Sequence, residues 1–376
     1  MGGGITSQPI SKNVLHIANF QASYKGNFVA SLEKLSERLS EKGIISIYMF
    51  PAQGMTGVAS EWINQLKDDG RNVYGFTDSI VHDTRLIRKL IKKHDIRIIH
   101  THFISMQQYL SVLLATMISK TKVVMHFHNH SVQAYGLKNM LRKVLYRKCM
   151  MVGCSNSVYN NLCRDYPMNM KAVVNNGIQF DRLDNTITVQ RSEYALQTDT
   201  VVCLIFGFDF YRKGVDLALK ALNDLNGENI KYELLISLSK NFEYVEQEVK
   251  RILGNIPRWV HIISARSDVA ALYNMCDLFL SPSREEGLPY SVLEAGYCKC
   301  GVLTSDIPAQ AKLGIPYAVL HRAEDYVSVK EKIEIAFEKK KKKCDNIEEV
   351  RKYMHFHYSL DNWVNGIIDV YKSEWK

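Results

Sequence analysis

Short apolar runs alternate with longer amphipathic segments along most of the chain, a pattern typical of a parallel sheet wrapped by helices. In the first half, the runs that predict strands lie at residues 13–17, 44–48, 96–100, 123–127, 150–153 and 172–174. In the second half, they lie at residues 201–206, 232–237, 260–264, 277–280 and 302–304. A helix over residues 27–41 is predicted to end at Gly43, because glycine suits a C-terminal cap. The pattern therefore predicts an α/β fold.

The alternation breaks after Gly177, where a polar stretch at residues 181–198 predicts a linker. A chain of 376 residues is too long for one ordinary core and suits two. We therefore expect a first α/β domain over residues 1–185 and a second over residues 186–357. Residues 358–376 predict a C-terminal helix, which by its pattern alone could pack on either domain.

The composition is that of a globular protein, with 46% hydrophobic and 23% charged residues. No apolar stretch approaches the roughly 20 residues that span a bilayer. The apolar run at residues 14–20 is short and lacks the layout of a secretion signal, so we expect a cytoplasmic protein. Residues 1–12 are predicted to form a loose lead-in. The eight cysteines include no second pair at zinc spacing, so we expect neither a metal site nor a disulfide.

The net charge of +9 requires a partner or a solvated basic face. Two predicted amphipathic helices concentrate this charge in the first half. One carries Arg85, Arg88, Lys89, Lys92 and Lys93, and the other carries Lys138, Arg142, Lys143, Arg147 and Lys148. We interpret the first as a solvated face. The second, around Arg142, fits either a solvated face or contact with anionic lipid headgroups.

A further basic run at residues 339–343 closes a long predicted helix, and we interpret it as a solubilising helix end. The chain shows no interleaving of aromatic and basic residues of the kind that stacks nucleic-acid bases. We therefore expect no nucleic-acid partner.

The densest chemical pattern lies at residues 281–295, between a predicted strand and a helix that starts near Tyr290. A strand-to-helix turn at the carboxyl edge of a parallel sheet is where such folds bind ligands. The first helical N–H groups, from Tyr290 to Val292, form a cradle for phosphate. Glu286 precedes this helix and Glu294 lies about one turn inside it, so both carboxylates are expected to reach one ligand.

A second strand-to-helix turn, at residues 207–214, supplies cations for an anionic ligand. Arg212 offers a fork for phosphate oxygens, and Lys213 offers a point charge. Taken singly, these cations could cap a surface loop, and Glu286 could favour the dipole of its neighbouring helix. Their occurrence together, each on a strand-to-helix turn, favours a ligand site.

These segments resemble the retaining, family-four glycosyltransferases of the GT-B fold. Glu286 and Glu294 match the family's E-x7-E motif, and Arg212 and Lys213 match its R/K-K-G segment. Residues 98–102, 151–155 and 175–178 resemble other family segments, so the similarity extends over nearly the whole chain. The resemblance implies two Rossmann-like domains that face each other across a donor-binding cleft, with a C-terminal helix that crosses back to the first domain.

The resemblance also implies residue roles. Arg212 and Lys213 would hold the donor diphosphate, Glu294 the ribose hydroxyls, and Glu286 the hydroxyls of the donor sugar. His128 would be an active-site histidine near that sugar, although it could also be a satisfied histidine at a strand end. The implied catalytic residues are Glu286, His128, Arg212 and Lys213. The implied donor-binding residues are Gly26, Arg212, Lys213, Glu286, Gly287, Leu288, Tyr290, Ser291, Val292 and Glu294.

Other histidines are given smaller roles. His126 lies on the same strand face as His128 and is the weaker candidate for the site. His100 and His102 end a strand that resembles a packing feature of the family, so they are expected to be structural.

The expected reaction is transfer of a hexose from a nucleotide diphosphate sugar, UDP-sugar favoured, to a hydroxyl of a glycan or lipid-linked acceptor. Retained configuration, independence of metals and cofactors, and a part in surface polysaccharide or glycoconjugate synthesis follow from the resemblance. Peripheral contact with the inner membrane face would suit a lipid-linked acceptor. Two alternatives remain open: a sugar-nucleotide epimerase or phosphorylase on the same fold, and a catalytically silent subunit that binds a partner enzyme.

Overall fold

The computed structural model describes residues 13–22, 24–57, 59–130, 136–184, 187–227 and 230–375. The predicted lead-in at residues 1–12 lies outside them. The chain divides into two compact units. The first contains the described residues up to Asn175 and those from Trp363 onward, and the second contains Asn176–Asn362.

The first unit is built on a parallel sheet. Its strands are β1 (Asn13–Ala18), β2 (Ser46–Pro51), β3 (Asn72–Phe76), β4 (Ile96–His102), β5 (Lys122–Phe127), β6 (Met150–Gly153) and β7 (Lys171–Val173). Their order, β3-β2-β1-β4-β5-β6-β7, is the doubly wound order of a Rossmann-like domain. The sequence pattern predicted six of these strands and missed β3, whose residues are only half-buried apart from Phe76.

Helices separate consecutive strands, as right-handed crossovers require. In the first unit they are α1 (Gly26–Ser40), α2 (Ala52–Thr56), α3 (Ser60–Asp68), α4 (Ile80–His94), α5 (Met106–Thr116), α6 (Leu137–Tyr146) and α7 (Asn156–Asp165). The predicted basic helices correspond to α4 and α6. In α1, four apolar residues, Phe28, Leu32, Leu35 and Leu39, recur at helical spacing and are all buried, which places one face of this helix against the core.

The second unit repeats the design. Its strands are β8 (Val201–Phe206), β9 (Tyr232–Leu238), β10 (Val260–Ser264), β11 (Leu278–Ser281), β12 (Gly301–Ser305) and β13 (Val319–His321), in the order β10-β9-β8-β11-β12-β13. Its helices are α8 (Asp181–Asp184), α9 (Val215–Asn226), α10 (Phe242–Leu253), α11 (Val269–Met275), α12 (Tyr290–Tyr297), α13 (Pro308–Ala311), α14 (Tyr326–Asp345) and α15 (Ile347–Tyr358). The three-residue strand β13 was not predicted.

Two sequence interpretations need correction in the second unit. The stretch predicted as a linker contains α8 and a short 3-10 helix, Arg191–Tyr194. The basic run at residues 339–343 is not wholly solubilising, because Lys343 is buried. Its ammonium donates to the carbonyl oxygens of Ala295 and Cys300, at 2.8 and 2.7 Å, and burial lowers its pKa.

The last helix, α16 (Leu360–Glu374), confirms the predicted C-terminal helix, and its residues from Trp363 onward belong to the first unit. Gly366 faces Val174, and a Cβ atom at Gly366 would lie 2.8 Å from a Val174 methyl group. The close approach of the α16 backbone to the end of β7 therefore depends on this glycine.

The face of the first sheet that α1 and α16 cover is polar. It carries five histidines on strands β1 and β4 and along and just past β5. His16, His100, His102 and His126 are buried, and His128 is half-buried. Burial lowers the pKa of His16 and His126 to about 3, so these imidazoles are neutral near neutral pH. Among the helices that the structure describes, none is long and apolar enough to cross a membrane.

We expect Gly366→Val to loosen the C-terminal helix. The added methyl groups would overpack the contact with Val174, at a cost of about 1–3 kcal/mol. Asn365→Val is the matched control, because Asn365 is exposed on the same helix turn. Urea unfolding followed by circular dichroism should show a lower midpoint for Gly366→Val alone. Equal urea midpoints for Gly366→Val and Asn365→Val would show that α16 does not pack closely against Val174 at Gly366.

Candidate functional site

Two strand-to-helix turns meet at one edge of the second sheet. Strands β8 and β11 are parallel neighbours, so the turns that follow them, residues 207–214 and 282–289, leave the same edge. The strand order also reverses at this pair, since β9 lies beyond β8 and β12 lies beyond β11. Doubly wound sheets bind their ligands at such a switch point. The two predicted motifs therefore lie together.

A backbone contact joins the two turns. Gly214 has a φ of +70°, and a Cβ atom there would lie 2.0 Å from the carbonyl oxygen of Pro282. The amide of Arg284 also donates to the carbonyl oxygen of Arg212, at 2.8 Å. Only glycine allows this backbone approach, and it brings the cationic turn against the acidic one.

The predicted charges meet around Glu286, which is buried. Lys213 Nζ lies 2.6 Å from Glu286 Oε1, and Arg212 Nη1 lies 3.4 Å from Oε2. The Ser283 hydroxyl donates to Oε1 at 2.9 Å. Burial alone would lower the pKa of Arg212, but the carboxylates of Glu286 and Asp209 outweigh it and raise that pKa. The buried carboxylate is therefore well compensated.

An aromatic ring extends the cationic turn. The ring of Phe208, which is 45% exposed, lies 4.8 Å from Lys213 Nζ and 5.6 Å from the guanidinium carbon of Arg212. Both cations therefore gain cation–π contact with a partly exposed ring. Behind the turn, Arg284 binds both carboxylate oxygens of Asp216 at 2.8 Å, which fixes the acidic turn to the start of α9.

Helix α12 follows the acidic turn. Pro289 is its N-cap, with extended backbone angles. Of the predicted donor-binding residues here, Leu288 and Val292 are buried, whereas Tyr290 and Ser291 are half-buried at the helix start. The first N–H groups of a helix have no partner within it, so the Ser291 and Val292 amides are suited to an anion.

Glu294 lies on α12 and is buried. Arg182 donates to its Oε1 atom, and the Tyr273 hydroxyl donates to Oε2 at 3.2 Å. Burial raises the pKa of Glu294, an effect that Arg182 and Tyr273 partly offset. Carboxylate oxygens have several lone pairs, so Glu294 retains capacity to accept from hydroxyl groups.

Three residues of this region escaped the sequence analysis: Arg182, Tyr273 and Ser283. Arg182 lies on α8, inside the stretch interpreted as a linker, and Tyr273 lies on α11 among apolar residues. No spacing in the sequence relates either residue to Glu294. Ser283 did carry a signal, because it lies three residues before Glu286 in the same motif.

The other predicted site residues belong to the first unit. His128 follows β5 and is half-buried. Its ring stacks on Phe103, with centroids 4.2 Å apart, and its Nε2 atom lies 3.1 Å from Nδ1 of His102. Burial lowers the pKa of His128, with His126 adding to the effect. Gly26 opens α1 with a φ of +56°.

Two cations, a buried carboxylate and a helix N-terminus at one sheet edge suit a ligand that combines phosphate charge with hydroxyl groups. Two Rossmann-like units, the second carrying such a site, define the GT-B class of glycosyltransferases.

Comparison with known proteins agrees with this class. The family model for glycosyltransferase family 4 matches residues 30–182, and that for glycosyl transferases group 1 matches residues 186–353. Together they account for most of the chain, which therefore belongs to the glycosyltransferases of the GT-B fold.

Individual relatives are more distant. The chain is 49% identical over 47 residues to an N,N'-diacetylbacillosaminyl-diphospho-undecaprenol alpha-1,3-N-acetylgalactosaminyltransferase of Campylobacter jejuni, covering 12% of each protein. It is 26% identical over 206 residues to the O-antigen biosynthesis glycosyltransferase WclY of Escherichia coli, covering 50% of this chain and 55% of the relative. The matched region therefore covers at most 55% of the length of these two curated relatives.

A solved structure extends the likeness in fold to nearly the whole chain. Anabaena Alr3699/HepE, crystallised with UDP and glucose, matches with a TM-score of 0.76 and 15% identity. The match covers 96% of this chain and 100% of that one. At this identity, the match shows the shared fold alone.

We expect Gly214→Ala to disrupt the meeting of the two turns. A left-handed alanine costs about 1–2 kcal/mol, and the clash with Pro282 adds about 1–3 kcal/mol. Gly254→Ala is the matched control, since Gly254 has a φ of +81° and no atom within 4 Å of an added Cβ. The free energy of unfolding should fall clearly further for Gly214→Ala. A loss no larger than that of Gly254→Ala would show that the turns do not depend on this contact.

Proposed function

We propose that the protein transfers a hexose from a nucleotide diphosphate sugar to a hydroxyl of a glycan or lipid-linked acceptor, with retained configuration. The observation that carries this proposal is the buried contact of Glu286 with Lys213 and Arg212 at the switch point of the second sheet. In this proposal, Glu286 would serve the sugar hydroxyls directly beside two cations that would serve the phosphates.

The cations would serve the leaving group. As the bond between sugar and diphosphate breaks, negative charge grows on the phosphate oxygens while the sugar becomes cation-like. Arg212, Lys213 and the first amides of α12 are fixed before the reaction, so they would stabilise this charge without reorganising. Such fixed donors typically supply 10²–10³-fold in rate. This scheme needs no metal.

The carboxylates would bind rather than attack. Glu286 is compensated by Lys213, Arg212 and Ser283, an environment that favours accepting hydrogen bonds from sugar hydroxyls. Glu294, oriented by Arg182 and Tyr273, would accept from the ribose. The two-carboxylate scheme of glycosidases is therefore not proposed here. In a retaining transfer, the departing phosphate would take the acceptor's proton on the same face of the sugar.

His128 is proposed to contact the donor sugar. Its neutral imidazole, stacked on Phe103, can donate or accept a hydrogen bond without adding charge near the cation-like sugar.

The relatives support the choice of substrates. The Anabaena protein binds UDP and glucose, which favours a UDP-sugar donor. The name of the Campylobacter protein specifies a diphospho-undecaprenol-linked acceptor, and the Escherichia coli protein acts in O-antigen synthesis. We therefore propose a role in surface polysaccharide or glycoconjugate synthesis at the cytoplasmic side of a membrane.

We expect Lys213→Ala and Glu286→Gln each to lower transfer at least a hundredfold, because each removes a fixed contact to the donor. Lys220→Ala is the control, since Lys220 is an exposed lysine on α9. A thermal-shift screen of UDP-, GDP- and ADP-sugars identifies the donor, because a bound ligand raises the melting temperature. Transfer of the radiolabelled sugar to a lipid-linked glycan fraction then gives the rates.

Three outcomes would contradict the assignment. Near-normal transfer by a folded Lys213→Ala or Glu286→Gln variant would show that the substituted residue does not act in the transfer reaction. Epimerisation of the donor without any acceptor would favour an epimerase. A wild-type protein whose melting temperature no sugar nucleotide raises would favour a non-catalytic subunit.

We further propose that α6 contacts an anionic membrane. Its exposed side chains Met140, Lys143 and Val144 lie at positions i, i+3 and i+4, with Arg147 one turn on, so they share one face. Met140 is 60% exposed and Val144 is 65% exposed. Apolar side chains beside cations on one exposed face suit the headgroup region of a bilayer.

We expect Lys143→Gln to reduce binding to vesicles that contain phosphatidylglycerol about fivefold, since each surface cation contributes about 1 kcal/mol. Val144→Ser should also weaken binding by removing apolar contact. Lys89→Gln is the matched control, because Lys89 is an exposed lysine on α4, the helix interpreted as solvated. Cosedimentation with anionic and with neutral vesicles measures the binding of the wild type and of each variant. Equal losses for Lys143→Gln and Lys89→Gln would argue against α6 as the contact.

A further inference from the structure

The buried histidines of the first sheet lie on one face of three neighbouring strands. Parallel pairing sets His16 of β1 against His100 of β4, and His102 of β4 against His126 of β5. Alternate residues of a strand point to the same face, so His100 and His102 share theirs. Such a concentration of imidazole groups inside an otherwise apolar core requires a physical reason.

Three of these rings converge. One ring nitrogen from each of His16, His100 and His102 lies within 4.8 Å of the other two. All three residues have no solvent exposure. Within the described ranges, neither ring nitrogen of His16 has a hydrogen-bond partner, and Nε2 of His100 and of His102 also lacks one. Buried polar atoms rarely remain unpaired, because each costs about 1–3 kcal/mol.

In two of these rings, one nitrogen already has a hydrogen-bond partner. Nδ1 of His100 lies 2.7 Å from the Tyr371 hydroxyl, and Nδ1 of His102 lies 3.1 Å from Nε2 of His128. Each bond orients its imidazole and leaves Nε2 without a hydrogen-bond partner among the described residues. Metal-binding histidines are oriented in this way, with one nitrogen on the ion and the other hydrogen-bonded.

We propose that His16, His100 and His102 bind one divalent transition-metal ion inside the first unit, with Zn²⁺ the best fit. Neutral imidazoles without carboxylates suit zinc, copper, cobalt or nickel, and not magnesium or calcium. Zinc bonds to imidazole nitrogen are about 2.1 Å long, so the three nitrogens would draw together to about 3.4 Å by small ring rotations. The ion would join β1 to β4 and would take no part in sugar transfer.

In a second group, His102, His126 and His128, one ring nitrogen from each residue also lies within 4.8 Å of the other two. It is the weaker site because two of its members already hydrogen-bond each other, His102 through Nδ1 and His128 through Nε2. His126 therefore provides a matched control: it is a buried histidine on the same face, next to the proposed site and outside it.

The full chain is expressed with added Zn²⁺, washed with EDTA to remove surface ions, and analysed by mass spectrometry for metal. We expect one zinc per chain in the wild type and in His126→Asn, and at least tenfold less in His16→Asn and His100→Asn. Replacement of Zn²⁺ by Co²⁺ should give the visible spectrum of a nitrogen-ligated tetrahedral ion. Circular dichroism confirms that each variant is folded.

Tyr371→Phe keeps the test decisive if the histidine variants do not fold. It removes only the hydroxyl that orients His100, and loss of such a partner weakens metal affinity 10–100-fold. Wild-type protein without stoichiometric zinc would overturn the proposal. Loss of zinc in His126→Asn with retention in His16→Asn would also overturn it.

Discussion

The second unit depends on keeping one carboxylate charged inside the protein. A buried charge is tolerated only with partners, and breaking such a pair costs about 3–5 kcal/mol. Glu286 has Lys213, Arg212 and Ser283 as partners, and these come from the turns after two different strands. The ion pair therefore requires that β8 and β11 be neighbours and that their turns touch. The same demand places glycine at position 214, where the backbones meet.

This arrangement also determines what can bind. The cations are already compensated by Glu286 and Asp209, so the turn is not a general anion trap. A ligand must bring both negative charge for the cations and hydroxyl groups for the carboxylate. A nucleotide diphosphate sugar has both, arranged in sequence. Under the proposed function, selectivity for that class would follow from the pairing of charges rather than from net charge.

The sequence could predict that Glu286 meets Arg212 and Lys213, because local patterns carry these residues: each lies between an apolar strand and a helix. It did not reveal Arg182 or Tyr273, since their contact with Glu294 joins α8, α11 and α12 and leaves no spacing to detect. The long buried strands could also be predicted, because each one is a continuous apolar run in the sequence. The half-buried β3 and the short β13 lack a continuous apolar run, so only their pairing with neighbours defines them.

The first unit depends instead on the last helix of the chain. A sheet face that carries five imidazoles cannot be covered by aliphatic side chains alone, because the ring nitrogens need partners. Helix α16 provides Tyr371, whose hydroxyl bonds to His100, and Trp363, whose ring stacks on His126. Both residues lie in the part of α16 that belongs to the first unit. The C-terminal helix is therefore part of that unit's core, and the hydroxyl of Tyr371 gives a buried ring nitrogen of this face its partner.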